Sequence, residues 1–536
     1  MSTAMAASNL AINRRALLGG LSTLALVGAA RAQSAVAIDP APSPQAPKRD
    51  DTVAGNFQRL VIARWGDGVV PNAPPFDPYP LTGQQAGTQF PYDAAITALI
   101  SPPPAQDGIP RLVMVLANPD APARMVFPGG IDHPSVAGRL QGATVLNLQY
   151  LSGRWMMVDG GYQNRRITDG TLCQISGPVA AAIGSTVQGV LAPQAGCATP
   201  WGTALLAEGR VTPWLTRLAS TDYGYGDPAD GPRFGWVAEF DPFDPGAFPV
   251  KRTGLGRFAR AGIALTTTPD GRAVVFMSQD DPAGFLFRFI SAAAATDGSA
   301  LDAGTLSVAQ INGSGIEWVD LGTDIPTLVA TVSAAANQGG SRFDGPGGIA
   351  IAPGNSGLYL ACRGNPARDS ADALNPRTGD DNGHILFFTP PNGDVTAKSF
   401  AGRLALVAGN PATAPLTQYG AGSTAWLKNP RTLNLDPYGQ LWIGTDQRGH
   451  VSDTADGLFT LQTTGPNRFL LSAAYLAPIG AAIGGAAFDS NTRTIFSVAR
   501  HPGATPQASF GAPATRWPTL RANMPPQTTV IGLVQQ

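Results

Sequence analysis

The sequence has few charged side chains and very few glutamates. Asp, Glu, Lys and Arg together make up only 14% of the 536 residues, and 36 basic residues against 37 acidic ones give a net charge of −1. This balance excludes the strongly basic surface that electrostatic binding to nucleic acid requires. Glu208, Glu239 and Glu317 are the only glutamates, so 37 − 3 leaves 34 aspartates. That scarcity limits any mechanism that depends on glutamate carboxylates.

Cysteine and histidine are scarce and scattered. Cys173, Cys197 and Cys362 are too few and too far apart for a disulfide scaffold or a zinc knuckle. We expect Cys173 and Cys362 to be buried as small apolar residues. No phosphate-binding glycine loop, nucleophile elbow or His-Glu-x-x-His motif is present. The four histidines, none within helical reach of another, are expected to be structural: His133, His384, His450 and His501.

Long apolar runs are absent after residue 30. The run over residues 17–30 follows Arg14 and Arg15 and ends in Ala30-Arg31-Ala32, a small-x-small pattern. This arrangement predicts a twin-arginine-type signal peptide over residues 1–32. The run is shorter than the roughly 20 residues of a membrane span. We therefore expect a periplasmic or secreted protein that does not associate with a membrane after signal cleavage.

Glycine and proline are abundant, with 64 and 48 residues respectively. This content is typical of short strands joined by tight turns. Several segments alternate apolar and polar residues, turn at a Pro-containing corner, and continue as a dense apolar strand. Pro269, Pro353 and Pro437 mark three of these corners and are 84 residues apart each time.

About six such units predict an all-β chain folded as a six-bladed β-propeller with loop insertions. A large sandwich or a β-helix is the alternative. Residues 33–52 contain four prolines and no periodicity, and we expect them to form a flexible leader. Residues 53–536 are predicted to form a single domain.

Several phrases, taken in order, resemble the PhoX-type alkaline phosphatases between about residue 105 and Trp517. The resemblance implies a secreted β-propeller whose central site holds iron and calcium ions and hydrolyses phosphate monoesters. The phrases that carry it include Gly153-Arg154-Trp155, Asn164-Arg165-Arg166-Ile167-Thr168, Thr199-Pro200-Trp201-Gly202-Thr203, Gly235-Trp236-Val237-Ala238-Glu239, Leu255-Gly256-Arg257-Phe258, Asn382-Gly383-His384-Ile385, Leu441-Trp442-Ile443-Gly444-Thr445-Asp446 and His501-Pro502-Gly503.

The chain departs from the family pattern at most positions where the family carries metal ligands. The family's Asn-His-Glu-Tyr is Asn-Leu-Gln-Tyr over residues 147–150. The family's iron-binding cysteine falls on Gln194, and Cys197 lies three residues later. The family's His-Glu-Gly and Arg-Pro-Glu are Arg-Ala-Gly over 260–262 and Gly-Pro-Gly over 345–347. We therefore expect the full iron-calcium cluster to be largely lost.

The acids that remain near the expected site are the candidate ligands for a smaller metal set, with calcium as the candidate ion. Glu208, Asp280 and Asp281 are the candidates, and Asp344 and Asp446 are further acids that could contribute. Adjacent aspartates in a loop can both reach one calcium ion.

Basic and amide side chains are the candidates for binding an anionic substrate in the funnel of the propeller. They are Arg165, Arg166, Arg260, Gln149 and Gln194. Aromatic residues such as Tyr150 and Trp201 could line the same funnel.

Three functions follow from these residues. The first is a divergent phosphatase for small-molecule phosphate monoesters, with weak, altered or no activity because the metal ligands are replaced. The second is a propeller that binds a small ligand or a partner without catalysis. The third is an ester or lactone hydrolase with a single calcium ion held partly by the neutral donors Gln149, Gln194 and Asn434.

Overall fold

Six groups of antiparallel strands account for the alternating apolar segments of the sequence. The structure is a computed structural model that describes residues 38–43, 45–221, 228–489 and 491–536. The predicted signal peptide, with Arg14 and Arg15, lies outside the described residues. Strands β1 (Thr52–Val53) and β2 (Phe57–Arg64) precede the six blades.

The first three blades follow in chain order. Blade 1 contains β3 (Ala95–Ile100), β4 (Arg111–Asn118), β5 (Gly142–Leu151), β6 (Arg154–Met157) and β7 (Arg165–Ile167). Blade 2 contains β8 (Leu172–Ser176), β9 (Thr186–Gln188), β10 (Pro193–Ala198), β11 (Ala204–Glu208), β12 (Val237–Phe240) and β13 (Val250–Arg252). Blade 3 contains β14 (Arg260–Thr267), β15 (Arg272–Gln279), β17 (Leu286–Ala294), β18 (Gly304–Asn312) and β19 (Gly315–Asp320), while β16 (Ala283–Gly284) pairs with β20 (Phe343–Asp344).

The other three blades have fewer strands of their own. Blade 4 contains β21 (Pro346–Ile351), β22 (Leu358–Cys362), β23 (His384–Thr389) and β24 (Ser399–Val407). Blade 5 contains β25 (Pro430–Leu435), β26 (Leu441–Thr445), β27 (Gly457–Leu461) and β28 (Leu471–Leu476). Blade 6 contains β29 (Ala482–Asp489), β30 (Thr494–Arg500) and β31 (Thr529–Gln535).

The helices are short and lie in the connections between strands. They are α1 (Gly83–Thr88), α2 (Ala123–Val126), α3 (Pro134–Leu140), α4 (Ala180–Ile183), α5 (Val211–Leu218), α6 (Ile325–Val329) and α7 (Thr331–Asn337). Within the described ranges, no helix has the length and apolar character that a membrane crossing requires.

The first strand of each blade in the radial order faces a central channel. These inner strands contact one another in a closed ring, in the order β3, β10, β14, β21, β25 and β29, and β29 returns to β3. The ring confirms the predicted six-bladed β-propeller. Glycines permit the close approach of neighbouring blades: a Cβ at Gly262 would lie 2.2 Å from the Gly347 carbonyl oxygen, and one at Gly348 would lie 2.7 Å from the Leu433 amide nitrogen.

Strands from the beginning of the described chain complete the last two blades. β2 pairs antiparallel with β31 at the outer edge of blade 6, and β1 pairs with β28 in blade 5. Blades 3 and 4 also join at their edges, where β19 pairs with β24. These pairings cover strand edges that would otherwise be open to solvent.

Residues 38–51 differ from the flexible leader that the sequence predicts. The Ala41 amide donates to the Ala473 carbonyl at 2.9 Å, and the carbonyls of Gln45 and Lys48 accept hydrogen bonds from Ala455 at 2.8 Å and Ile479 at 2.7 Å. Prolines lack an amide hydrogen, but the carbonyl groups of such a segment can still accept bonds from a neighbouring blade. This segment therefore lies against blade 5.

Candidate ligand-binding site at the mouth of the propeller

The second strand of every blade ends at the same mouth of the channel, and each end carries a charged residue. These strands are β4, β11, β15, β22, β26 and β30. The charged residues at their ends all line one cavity of about 410 Å³: Asp120, Arg210, Asp280, Arg363, Asp446 and Arg500. They alternate in sign from blade 1 to blade 6, and we refer to these six residues as the charged ring.

Neighbouring members of the charged ring form ion pairs. Arg210 Nε lies 3.0 Å from Asp280 Oδ2, and Arg363 Nη1 lies 3.6 Å from Asp446 Oδ2. Because each of these aspartates faces a guanidinium, its charge is already balanced by protein. A metal ion at either carboxylate would have to compete with an arginine.

Arg500 pairs with a residue that precedes blade 1. Its Nε and Nη2 atoms donate to the two carboxylate oxygens of Asp93, both at 2.8 Å. This bidentate pair is buried. Burial alone would lower the pKa of Arg500, but the Asp93 carboxylate outweighs it and holds the pKa above its ordinary value.

Arginines outnumber aspartates in the cavity. Besides the charged ring, the lining includes Arg124, Arg431, Arg448 and Asp93. Six arginines and four aspartates give 6 − 4 = +2 with a neutral His501. A cavity of this charge attracts anions.

Arg431 has the fewest partners of the buried arginines at this mouth. It is the second residue of the inner strand β25 and is 6% exposed. Among the described residues, its guanidinium has one hydrogen bond, to Gln194 Oε1 at 3.4 Å. Burial, assisted by Arg363, lowers the pKa of Arg431 to about 10. Its remaining donors are available for an oxyanion in the cavity.

Asp446 is the acid most strongly affected by this environment. Burial alone would raise its pKa, but Arg363, Arg500, His501 and Arg431 outweigh burial and hold the pKa well below its usual range. The Asp446 carboxylate therefore stays ionised, and it offsets part of the positive charge of the cavity.

A second cavity, also of about 410 Å³, adjoins the first between blades 4 and 5. Both cavities are lined by Arg363, Asp446 and Arg448. The second is also lined by Asp380 and His450. A ligand larger than a single oxyanion has room to extend across these shared residues.

Beneath the second cavity lies a group of three buried side chains that could hold a metal ion. One potential ligand atom from each of Asp344, Asp380 and His384 lies within 4.8 Å of the other two. It is the one such group found among the described residues. Of its members, Asp380 also lines the second cavity.

The structure brings together some of the predicted site residues. Asp280, Asp446 and Gln194 line the first cavity. Asp281 does not line either of the two cavities, and its Oδ1 atom accepts a hydrogen bond from the Ala283 amide at 2.9 Å, as in a tight turn.

Glu208 lies outside the cavity lining and has no exposed surface. Its Oε1 atom accepts from the Leu191 amide at 2.8 Å and from Lys251 Nζ at 2.9 Å. Its Oε2 atom accepts from the amides of Gly235 at 2.7 Å and Trp236 at 3.0 Å. A carboxylate with four such donors has no lone pair left for a metal ion. The geometry thus opposes the metal-binding role that the sequence suggests for Glu208.

The arginines predicted to steer a substrate are engaged elsewhere. Arg260 is fully buried and donates to the carbonyls of four residues between 2.5 and 3.1 Å. Arg166 donates to Asn118 Oδ1, to Thr144 Oγ1 and to backbone carbonyls, and Arg165 donates to two carbonyls. Burial lowers the pKa of both Arg166 and Arg260 to about 9. None of the three lines either cavity.

Cys197 lies three residues beyond Gln194 on β10 and lines the channel rather than the mouth. Burial raises the pKa of its thiol to about 12, so the thiolate that binds iron is disfavoured there. Asn434 also lines the channel, where its Oδ1 accepts from the Ala486 amide at 2.9 Å.

The other predicted funnel residues belong to the blades themselves. Gln149 lies on β5, where it pairs with Met156. The Tyr150 ring packs against Trp155 at 5.4 Å between centroids, and Trp201 Nε1 donates to Glu239 Oε1 at 2.6 Å. None of these three residues lines either cavity.

Sequence reasoning missed most of the arginines of the site. A signal for them exists in the repeat itself: Asp280, Arg363 and Asp446 are spaced by 363 − 280 = 83 and 446 − 363 = 83 residues. This spacing nearly equals the 84 residues between the corner prolines. Each charged residue therefore ends the strand that follows a repeated corner.

Comparisons with known proteins agree with this architecture. The sequence model of a family described as alkaline phosphatase PhoX matches residues 39–503. Pseudomonas fluorescens PhoX, solved in complex with vanadate, a transition state analogue, superposes with a TM-score of 0.81 at 26% identity over 93% of this chain and 98% of that one. A gluconolactonase from Xanthomonas campestris superposes with a TM-score of only 0.32 at 12% identity, over 89% of this chain and 100% of that one. No curated protein sequence matches the chain.

Proposed function

Because the chain belongs to the PhoX alkaline phosphatase family, we propose that its mouth cavity binds a phosphate ester or a related oxyanion, and that it does so without the family's full iron-calcium cluster. The single observation that carries this proposal is the surplus of arginine over aspartate in the cavity, with Arg431 buried and nearly free of protein partners. The related PhoX structure contains vanadate, an oxyanion of the same class.

The donor set supports a site for an anion rather than for several cations. A cluster of iron and calcium ions needs many oxygen donors with negative charge to spare. Here Asp93, Asp280 and Asp446 each face an arginine at 3.6 Å or less. These residues do not fit such a cluster, and we assign no step of a reaction to it.

The arginines have a defined role in this proposal. Arg431 and Arg363 present donors to the oxygen atoms of the ligand, since guanidinium groups match the geometry of phosphate oxygens. Such contacts bind a substrate and its transition state to a similar extent, so they provide affinity more than rate. We therefore propose weak or no hydrolysis of phosphate monoesters. From Arg14, Arg15 and the apolar run over residues 17–30, we further propose export of the folded chain to the periplasm or beyond.

Isothermal titration calorimetry with inorganic phosphate and with vanadate tests this proposal. We expect 1:1 binding by the wild-type protein and a loss of roughly 10- to 100-fold in affinity for Arg431→Gln, because hydrogen bonds to charged groups contribute about 1.5–3 kcal/mol. The exposed Arg154 lies in the outer part of blade 1, and Arg154→Gln is the matched control that should bind like wild type.

A second arm of the experiment addresses the metal ions. Elemental analysis of protein purified without chelators, combined with titration after chelation, should show that phosphate binding does not require iron or calcium. Several equivalents of iron and calcium, or loss of phosphate binding on chelation, would refute binding by arginines alone.

A further inference from the structure

We propose that Asp344, Asp380 and His384 bind one transition-metal ion of the zinc type beneath the second cavity. Asp344 ends β20, His384 begins β23, and Asp380 lies four residues before His384 in the preceding loop. The three residues are 0%, 2% and 0% exposed, in the order Asp344, Asp380, His384. Side chains of this polarity are rarely buried without a partner or an ion.

His384 is the group that most requires a ligand. Neither Nδ1 nor Nε2 has a hydrogen-bond partner among the described residues, and Nδ1 lies 3.8 Å from Asp380 Oδ2, beyond hydrogen-bond distance. Asp344 Oδ2 is also buried without a partner among those residues. Leaving buried polar atoms unsatisfied costs about 1–3 kcal/mol each. A bound ion would satisfy the imidazole and both carboxylates at once.

Two arginines orient the carboxylates toward this point. Arg368 Nε donates to Asp344 Oδ1, and Arg377 Nη2 lies 2.9 Å from Asp380 Oδ1. In both aspartates the arginine contacts Oδ1, which leaves Oδ2 as the potential ligand atom for an ion shared with His384. Metal-binding carboxylates are commonly held by outer hydrogen bonds of this kind.

The donor set indicates the class of ion. One imidazole nitrogen and two carboxylate oxygens suit zinc and similar divalent transition metals, with a fourth position left for water. Calcium prefers six to eight oxygen ligands, which this buried group does not offer. Because Asp380 also lines the second cavity, an ion has a path from solvent to the group.

Metal titration of the full chain, produced without a histidine tag, tests the proposal. After chelation and reloading, we expect the wild-type protein to retain one equivalent of zinc against a large excess of calcium. Cobalt(II) bound in place of zinc should give visible absorption bands of a low-coordinate site. X-ray absorption of the zinc-loaded wild-type protein should show one imidazole and oxygen ligands at about 2.0–2.2 Å.

Variants identify the ligands. His384→Gln and Asp344→Asn, verified as folded by circular dichroism, should each lower zinc affinity by at least roughly 100-fold. His450 is an exposed histidine on the lining of the same cavity, and His450→Gln should retain wild-type affinity. The proposal fails if the folded wild-type protein retains no stoichiometric zinc, if calcium displaces it, or if folded His384→Gln binds as tightly as wild type. The wild-type spectra decide the question if the variants do not fold.

Discussion

Lys251 Nζ lies 2.9 Å from Glu208 Oε1, and neither side chain has any exposed surface. Lys251 also donates to the Arg233 carbonyl at 3.2 Å and lies 3.9 Å from the centroid of the Phe234 ring. The pair connects β11 to β13 inside blade 2. One of only three glutamates in the chain is thus the partner of a buried lysine.

Glu208→Gln should destabilise the protein without changing its metal content. The substitution leaves the Lys251 ammonium buried without a counter-charge, a change that typically costs about 3–5 kcal/mol. Urea unfolding should show this loss. A double variant, Glu208→Gln with Lys251→Met, should be less destabilised than Glu208→Gln alone, because no unpaired charge remains in the core.

The exposed pair formed by Lys398 and Glu317 is the control. Its atoms are also 2.9 Å apart, but Lys398 is 79% exposed. Glu317→Gln should leave the unfolding midpoint nearly unchanged, since solvent screens exposed ion pairs. Loss of bound metal in Glu208→Gln with little loss of stability would instead favour a ligand role for Glu208.

The propeller could be predicted because its signals are local. Alternating strands, turn residues and the 84-residue spacing of the corner prolines are properties of short stretches of sequence. The charged ring depends on residues that fold together from distant positions, such as Asp93 and Arg500, which are 407 residues apart. A single sequence does not show which acid meets which base. For this reason the sequence identifies Asp280 as a site residue but not its partner, Arg210.

Asp446→Asn should raise the affinity for phosphate. The carboxylate of Asp446 lies 3.6 Å from Arg363 and offsets part of the positive charge of the cavity. Removing one negative charge at such a distance should strengthen anion binding by roughly tenfold, with an effective dielectric constant near 20. Calorimetric titration with phosphate measures the change. Asp369 is exposed outside the cavity lining, and Asp369→Asn should leave affinity unchanged. Weaker binding by Asp446→Asn would indicate that the carboxylate contacts the ligand directly.

Asp456 should make the protein less stable as pH rises toward neutrality. Burial, followed by repulsion from Asp446, raises its pKa from the ordinary 3.8 to about 7. Between these two values the folded state holds a proton that the unfolded state has released, so the free energy of unfolding falls as pH increases from about 4 to about 7. Above that range this contribution is constant.

Asp456→Asn removes the titrating group and keeps an oxygen that can accept from Thr445 Oγ1 and the Gln447 amide. The stability of the variant relative to wild type should therefore increase with pH between about 4 and about 7 and then level off. Urea unfolding of both proteins across this range measures the difference. A difference that does not vary with pH would show that Asp456 has no raised pKa.

Gly262→Ala should test how closely the inner strands must approach one another. A Cβ at this position would lie 2.2 Å from the Gly347 carbonyl oxygen and 2.9 Å from Ser278 Oγ. Since the first neighbour is backbone, β14 and β21 would have to move apart, and we expect a loss of about 1–3 kcal/mol or more. A Cβ at Gly83 would meet no atom within 4 Å, so Gly83→Ala should be neutral or stabilising by up to about 1 kcal/mol. Equal stability of the two variants would show that the ring of inner strands tolerates a wider channel. If Gly262→Ala remains folded, its affinity for phosphate reports whether spacing in the channel also positions the arginines at the mouth.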